Sequence, residues 1–229
     1  PRVIEANRVL WWLILNGLIL QTRPKRSARL YARIWQEAGS PLLTITRSQS
    51  AKLQALFAAS TNGDHETVVQ FGMRYGNPSL ESAIDTLMAA GCTRIVLVPL
   101  YPQYAGATTA SVLDAVYTHV LRRRWVPTIR VADPYYRHPS VLRSVVSSVR
   151  EFYKNEARPP ERLVLSYHGV PKRYIAAGDP YCCMCVEMTT LLTKQLGLPA
   201  GHVVHTFQSR FGKDPWLTPY TDYTICLLY

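Results

Sequence analysis

Short apolar runs recur along most of this chain at intervals of about thirty residues, and no other feature constrains the fold as much. They lie at Thr67 to Phe71, Arg94 to Val98, Thr128 to Val131, Leu163 to Leu165 and His202 to Thr206. Between them the apolar period lengthens to that of a helix, at Ser79 to Ala90, Thr108 to Arg123, Pro139 to Lys154 and Cys183 to Leu196. Strands separated by helices of this length mean βαβ units and parallel pairing. The expected fold is α/β, with two doubly wound (Rossmann-like) parallel-sheet halves and a cleft between them. Ala132-Asp133-Pro134 is the natural break, giving halves 1–132 and 133–229. Upstream of the rhythm, Val9 to Gln21 reads as a helix with apolar residues on nearly every face, buried or forming one lip of an apolar pocket. A basic turn, Thr22 to Arg29, leads into a second helix, Ser27 to Gln36, which Gly39-Ser40-Pro41 ends. A third helix, Ser48 to Ala59, is closed by the polar loop Ser60 to Asp64.

Composition excludes several classes. With 48% hydrophobic and 18% charged residues the chain is an ordinary globular protein, not a disordered one. The apolar run Val9 to Leu20 contains Asn16 and Gly17 and is too short to span a bilayer. Five cysteines, three of them crowded at Cys182, Cys183 and Cys185, are not a secreted disulfide framework, so a reducing cytoplasm is expected. A net charge of +11 invites a nucleic-acid reading, but the charge is spread out and no helix-turn-helix, zinc-finger or RNP pattern accompanies it. A basic surface serves equally to attract a dianionic small molecule or acidic lipid headgroups.

One stretch carries chemistry more plainly than the rest: LVLSYHGVPKRYIAAGDPY, Leu163 to Tyr181. A buried strand stops at His168-Gly169-Val170-Pro171, where Gly169 permits a sharp turn and Pro171 ends regular pairing. His168 therefore stands at the C-terminal end of a strand, where open α/β sheets place their ligands. The alternative is a hydrogen-bonded structural histidine at a turn.

Together, SYHGVPKRY…GDPY and FQSRFG…PWLTPYTD (Phe207 to Asp222) resemble the signature segments of ferrochelatase, the enzyme that inserts ferrous iron into a porphyrin. The resemblance continues upstream through RPK (Arg23 to Lys25), GSPL (Gly39 to Leu42), MRYGNPS (Met73 to Ser79) and LYPQYAGATTAS (Leu100 to Ser111), in the family's order. Chelatases for cobalt or nickel typically lack the FQSRFG…PYTD block. The resemblance implies a chelatase-like fold and the conversion of protoporphyrin IX to haem, with porphyrin and ferrous iron as substrates. It also implies that no cofactor is required. Two pyrrole protons must leave, and a divalent ion must be handed to the ring nitrogens.

His168 matches the family's catalytic and metal-contacting histidine, and a neutral imidazole can accept a proton at neutral pH. Arg74 and Tyr75 resemble an active-site Arg–Tyr pair, and Arg23, Lys25 and Ser40 match the lip where the family holds the propionates. Tyr101 and Tyr104 follow a strand and so lie on the ligand edge. Gln208, Ser209 and Arg210 match a substrate-facing segment, with Ser209 as a hydrogen-bonder and Arg210 alternatively a surface ion pair. Trp216 would stack on a flat conjugated ring or, alternatively, serve as a core tryptophan. Asp179 is expected to cap the helix that begins about Cys182.

The resemblance weakens at both ends. Family members open with an apolar strand and a glycine-bearing loop, which Pro1 does not follow, and their acidic partner of the histidine lies past PYTD, where this chain reads YTICLLY with no acid after Asp222. A fragment truncated at both ends is expected, inactive for want of that acid; the competing reading is a non-catalytic porphyrin- or haem-binding module. Some relatives carry an iron–sulfur cluster, but Gly106 occupies the first cysteine position of that pattern and the C-terminal trio is missing, so no cluster is expected, and Cys182, Cys183 and Cys185 read as supplying one or two buried thiols facing the helix interior. His65, His119, His138, His202 and His205 show no paired spacing and receive no role.

Overall fold

The computed structural model describes residues 8–60, 66–158, 160–199 and 201–228. Its described residues divide into two compact units: one comprises the chain up to Val96 together with Ser111–Arg130, the other Leu97–Ala110 together with residues from Val131 onward.

The first unit opens with helix α1 (Arg8–Ile14), a π-helical turn (Leu15–Ile19) and helix α2 (Leu20–Ala32) in one continuous run. The widened turn falls on Asn16-Gly17, and the Asn16 amide donates to the Trp12 carbonyl at 2.8 Å. The basic turn expected at Thr22 to Arg29 is helical instead, with Pro24 inside α2 and the second helix merged into the first. Proline removes one backbone donor, and on so exposed a helix the carbonyl left over is open to solvent. No described residue of this run is buried, which corrects the expectation of a buried helix. Helix α3 (Pro41–Ser60) starts seven residues earlier than expected, right after Ser40, whose hydroxyl accepts from the Leu43 N–H at 3.2 Å. The loop expected at Ser60 to Asp64 lies, beyond Ser60, outside the described residues, as does His65.

Thr67 to Phe71 joins no sheet among the described residues. The side-chain amide of Gln54 takes the place of a neighbouring strand, donating to the Thr67 carbonyl at 2.9 Å and accepting from the Val69 N–H at 2.7 Å. Helix α4 (Leu80–Ala89) is capped by Ser79, whose hydroxyl accepts from the Ser82 N–H. Its buried Leu80 and Ile84 lie on one face, and α4 packs on α5 (Ser111–Val120), which buries Val112, Val116 and Val120. A π-helical turn (Gly106–Ala110) leads into α5.

Strands β1 (Arg94–Leu97) and β2 (Thr128–Val131) pair with each other. The Thr128 N–H donates to Thr93 O at 3.0 Å and the Ala132 N–H to Leu97 O at 2.9 Å, the constant offset of a parallel pair. In the second unit β3 (Leu163–His168) and β4 (Val203–Gln208) pair in parallel, from Leu163 against Val203 to His168 against Gln208. Both strands run further than their apolar cores announced, through Ser166-Tyr167-His168 and Phe207-Gln208. Helix α6 (Pro139–Asn155), the short α7 (Lys172–Ala176), α8 (Tyr181–Leu196) and α9 (Thr221–Leu228) complete the unit. Leu142 and Val146 of α6 meet Met188 and Leu192 of α8, with Tyr136, in a core that Leu165 and Tyr167 of β3 adjoin. The α/β class and the parallel pairing are therefore as expected, with four strands among the described residues in place of five.

Candidate active site

The second unit builds its site where β3 and β4 end side by side. Beyond the last pair, His168 with Gln208, the Gly169 N–H still donates to the Gln208 carbonyl at 2.8 Å, and then the chains part. The turn is held from the other side by residues 215–217: the Lys172 N–H donates to Pro215 O at 2.8 Å and the Leu217 N–H to Val170 O at 3.1 Å. Glycine is required at 169 for lack of space. A Cβ there would come within 2.9 Å of Gln208 O and 3.2 Å of the Trp216 ring. Val170, Cys185, Phe207 and Leu217 form the buried cluster beneath.

On this platform His168 is exposed, with Nδ1 at 2.8 Å from its neighbour's carbonyl, Gly169 O. A carbonyl only accepts, so Nδ1 carries the proton and Nε2 of the neutral ring presents a lone pair. That is the arrangement a proton acceptor or a metal ligand needs, and it is fixed by backbone alone.

Trp216 lies under the same turn with 5% of its surface exposed. Its indole N–H donates to Phe211 O at 2.9 Å, and its ring lies 5.1 Å from that of Phe211. Ser209, just past β4, holds φ at +70°, the one described residue other than glycine with positive φ. Arg210 donates to Asp222 at 3.1 Å and lies over Tyr220 and Tyr223 at 4.2 and 4.7 Å. Tyr101 is exposed; the Tyr104 N–H meets Met184 Sδ at 3.3 Å, and the Gly106 N–H donates to Asp179 at 2.7 Å. The other oxygen of Asp179 accepts from the Tyr181 N–H at 3.1 Å, so this carboxylate fastens the start of α8, one residue earlier than expected.

In the first unit Arg74 is committed through Nε to Ser111, its carbonyl and its hydroxyl both at 2.9 Å, and its guanidinium lies 4.7 Å over the exposed Tyr75 ring. Arg23 and Lys25 stand on the exposed face of α2, and Ser40 precedes α3.

One arrangement lay outside what sequence spacing reveals. Behind His168, the Thr189 hydroxyl lies 3.0 Å from Cys185 O, 3.1 Å from the Tyr167 hydroxyl and 2.8 Å from His205 Nδ1. The Thr189 proton is directed to the Cys185 carbonyl and the Tyr167 oxygen, which leaves its own oxygen to accept from His205 Nδ1. His205 Nε2 is then an unprotonated atom, buried without a hydrogen-bond partner among the described residues. Burial accordingly holds the His205 pKa below the ordinary imidazole value. Burial also raises the Cys185 thiol to about 12, and Cys185 and its partly buried neighbour Cys182 contrast with the exposed Cys183. Among the described residues no group of three or more His, Cys, Asp or Glu side chains is placed to hold a metal ion. None of their helices is long and apolar enough to cross a membrane.

Comparison with known proteins agrees with this layout. The solved structure of SirB from Bacillus subtilis with Fe3+ superposes with a TM-score of 0.54 at 18% identity, covering 80% of this chain and 66% of that one, a likeness of fold. Curated ferrochelatases are closer in sequence. That of Thioalkalivibrio sulfidiphilus is 48% identical over 98% of this chain and that of Teredinibacter turnerae 45% over 97%, each covered to 60% of its own length. Ferrochelatase 2 of Shewanella oneidensis is 43% identical over the whole chain and covered to 68%. The chain thus spans about three fifths of the first two relatives. The ferrochelatase family model matches residues 1–229, and the chain belongs to the ferrochelatase family.

Proposed function

We propose that the protein inserts ferrous iron into protoporphyrin IX, with iron and porphyrin as substrates, no resident cofactor and no iron–sulfur cluster. In the balanced reaction two pyrrole N–H bonds break, iron–nitrogen bonds form to the ring, and two protons leave. The single Nε2 lone pair of His168 serves the incoming metal and a pyrrole proton in turn, never together; its Nδ1–H stays on Gly169 O throughout, so the ring neither turns nor changes partner as it takes up charge. The observation that carries this reading is that fixed tautomer at the end of a parallel strand pair. Tyr101, Tyr104, Ser209 and Trp216 are assigned to the porphyrin in the second unit, and Arg23, Lys25, Ser40, Arg74 and Tyr75 in the first. The buried Trp216 would support the turn and present at most its edge to the ring. The setting is cytoplasmic, with peripheral contact at the membrane.

The test is zinc insertion followed by fluorescence, with porphyrin affinity measured in parallel. His168→Ala is expected to abolish insertion while leaving porphyrin binding within a few-fold. A near wild-type insertion rate in the variant would remove His168 from the chemistry. Porphyrin binding with no insertion by the parent chain would favour a binding module.

A further inference from the structure

Residues 121–126, Leu-Arg-Arg-Arg-Trp-Val, follow α5 and lead towards β2 in the first unit. Arg122, Arg123, Arg124 and Trp125 line an open cavity of about 550 Å³ with Met88 of α4 and His119 of α5. Two of these residues are already engaged by Asp85 of α4, His119 at 2.7 Å and Arg123. Among the described residues Arg122 and Arg124 have no ion-pair partner. The same six residues hold three large apolar side chains in water: Leu121 at 74% exposure, Trp125 at 52% and Val126 at 46%.

Charge and apolar surface together narrow the partner. A small soluble anion would satisfy the arginines and leave Leu121 and Val126 uncovered. A nucleic acid would take the arginines and stack on Trp125, again leaving Leu121 in water. A bilayer with anionic phospholipids satisfies both: phosphate oxygens accept from the guanidinium forks, and the indole, with the leucine and valine of the same loop, settles at the headgroup–acyl boundary. We propose that the Leu121–Val126 loop and its arginine-lined cavity form a docking surface for an anionic phospholipid bilayer. This inference rests on the membrane contact proposed above and names its surface; it is independent of the insertion chemistry.

The experiment is co-sedimentation of the chain with phosphatidylcholine vesicles, with and without phosphatidylglycerol. Binding is expected only with the anionic lipid and is expected to weaken as salt is added. An arginine near an anionic surface is worth about a fivefold change in partitioning, so Arg122→Glu with Arg124→Glu should lower it by about thirtyfold or more. The matching pair Arg122→Lys with Arg124→Lys should keep most of it, which separates charge from misfolding. Trp125→Ser should weaken binding and remove a blue shift of tryptophan emission on vesicles, leaving the salt dependence unchanged. Undiminished partitioning of the double glutamate variant would overturn the assignment and move the contact to other apolar surface, such as that of α1. Displacement by inorganic phosphate or an oligonucleotide at constant ionic strength would overturn it in favour of a soluble anion or a nucleic acid. No binding by the parent chain would overturn the membrane contact itself, with zinc insertion untouched.

Discussion

The turn after β3 and the helical run from Arg8 to Ala32 both hold residues assigned to the porphyrin, and they are built in opposite ways. Around His168 the backbone is bonded on two sides and a buried cluster lies beneath it. Along α1 and α2 nothing is buried among the described residues, and Trp12, Leu13, Leu18 and Leu30 are all more than half exposed. Geometry at the first place is imposed from outside the residue; at the second it depends on the helix alone. A group that must meet a proton or a metal to within tenths of an ångström belongs at the first. Long, flexible arginine and lysine side chains that need only reach a carboxylate can work from the second.

Substitutions should expose that difference, most strongly at Trp216. Trp216→Ala is expected to cost about 3–5 kcal/mol of stability in urea unfolding, as for other buried tryptophans. A melt close to that of the parent, with porphyrin affinity alone reduced, would make the ring a stacking platform and dissolve the contrast. Next is Gly169→Ala, whose methyl group meets the Gln208 carbonyl. A loss of about 1–3 kcal/mol is expected, with zinc insertion falling further than stability because His168 is displaced.

A subtler test uses acid. Burial holds the folded His205 imidazole below its ordinary pKa, whereas the unfolded chain takes up a proton at about pH 6.5. Below that pH the unfolded state binds more protons, so this contribution is complete above it and is lost as the pH falls. His205→Asn keeps a donor for Thr189 without titrating, and its stability should decline less between pH 7 and pH 5, read by urea unfolding at each pH. Equal slopes would show that the imidazole is not shielded. The smallest effect is expected on the exposed helix: Arg23→Ala and Lys25→Ala should leave stability within about 0.5 kcal/mol while raising the porphyrin dissociation constant. A marked loss of stability in either would mean that this run is held by packing after all.

Much of the fold could be read from the chain because it rests on local periodicity. The spacing of apolar residues located β1, β2, α4 and α6 to within a few residues, and the His168-Gly169 turn stood out because few residues other than glycine leave room there. What escaped depends on groups far apart in sequence. Gln54 supplies the partner that Thr67 and Val69 would otherwise find in a sheet. The Thr189 hydroxyl ties Tyr167 to His205 across separations that no pattern announces. Pro24 misled in the other direction: a proline strains a helix through its lost bond and its ring, yet this exposed run continues through it. Residue type marked Trp216 as a candidate, but only the packing shows how little of its surface remains accessible.

Ser209 adds a tension that bears on how such a chain evolves. At φ +70° glycine or asparagine suits the backbone better, and a serine there costs about 1–2 kcal/mol. Selection for heat resistance alone would therefore favour replacing it, since glycine would relax the loop and strengthen the fold. The replacement would also delete the hydroxyl assigned to the porphyrin. On that assignment durability and porphyrin binding pull in opposite directions at this position, and a descendant selected for folding alone would lose the hydroxyl.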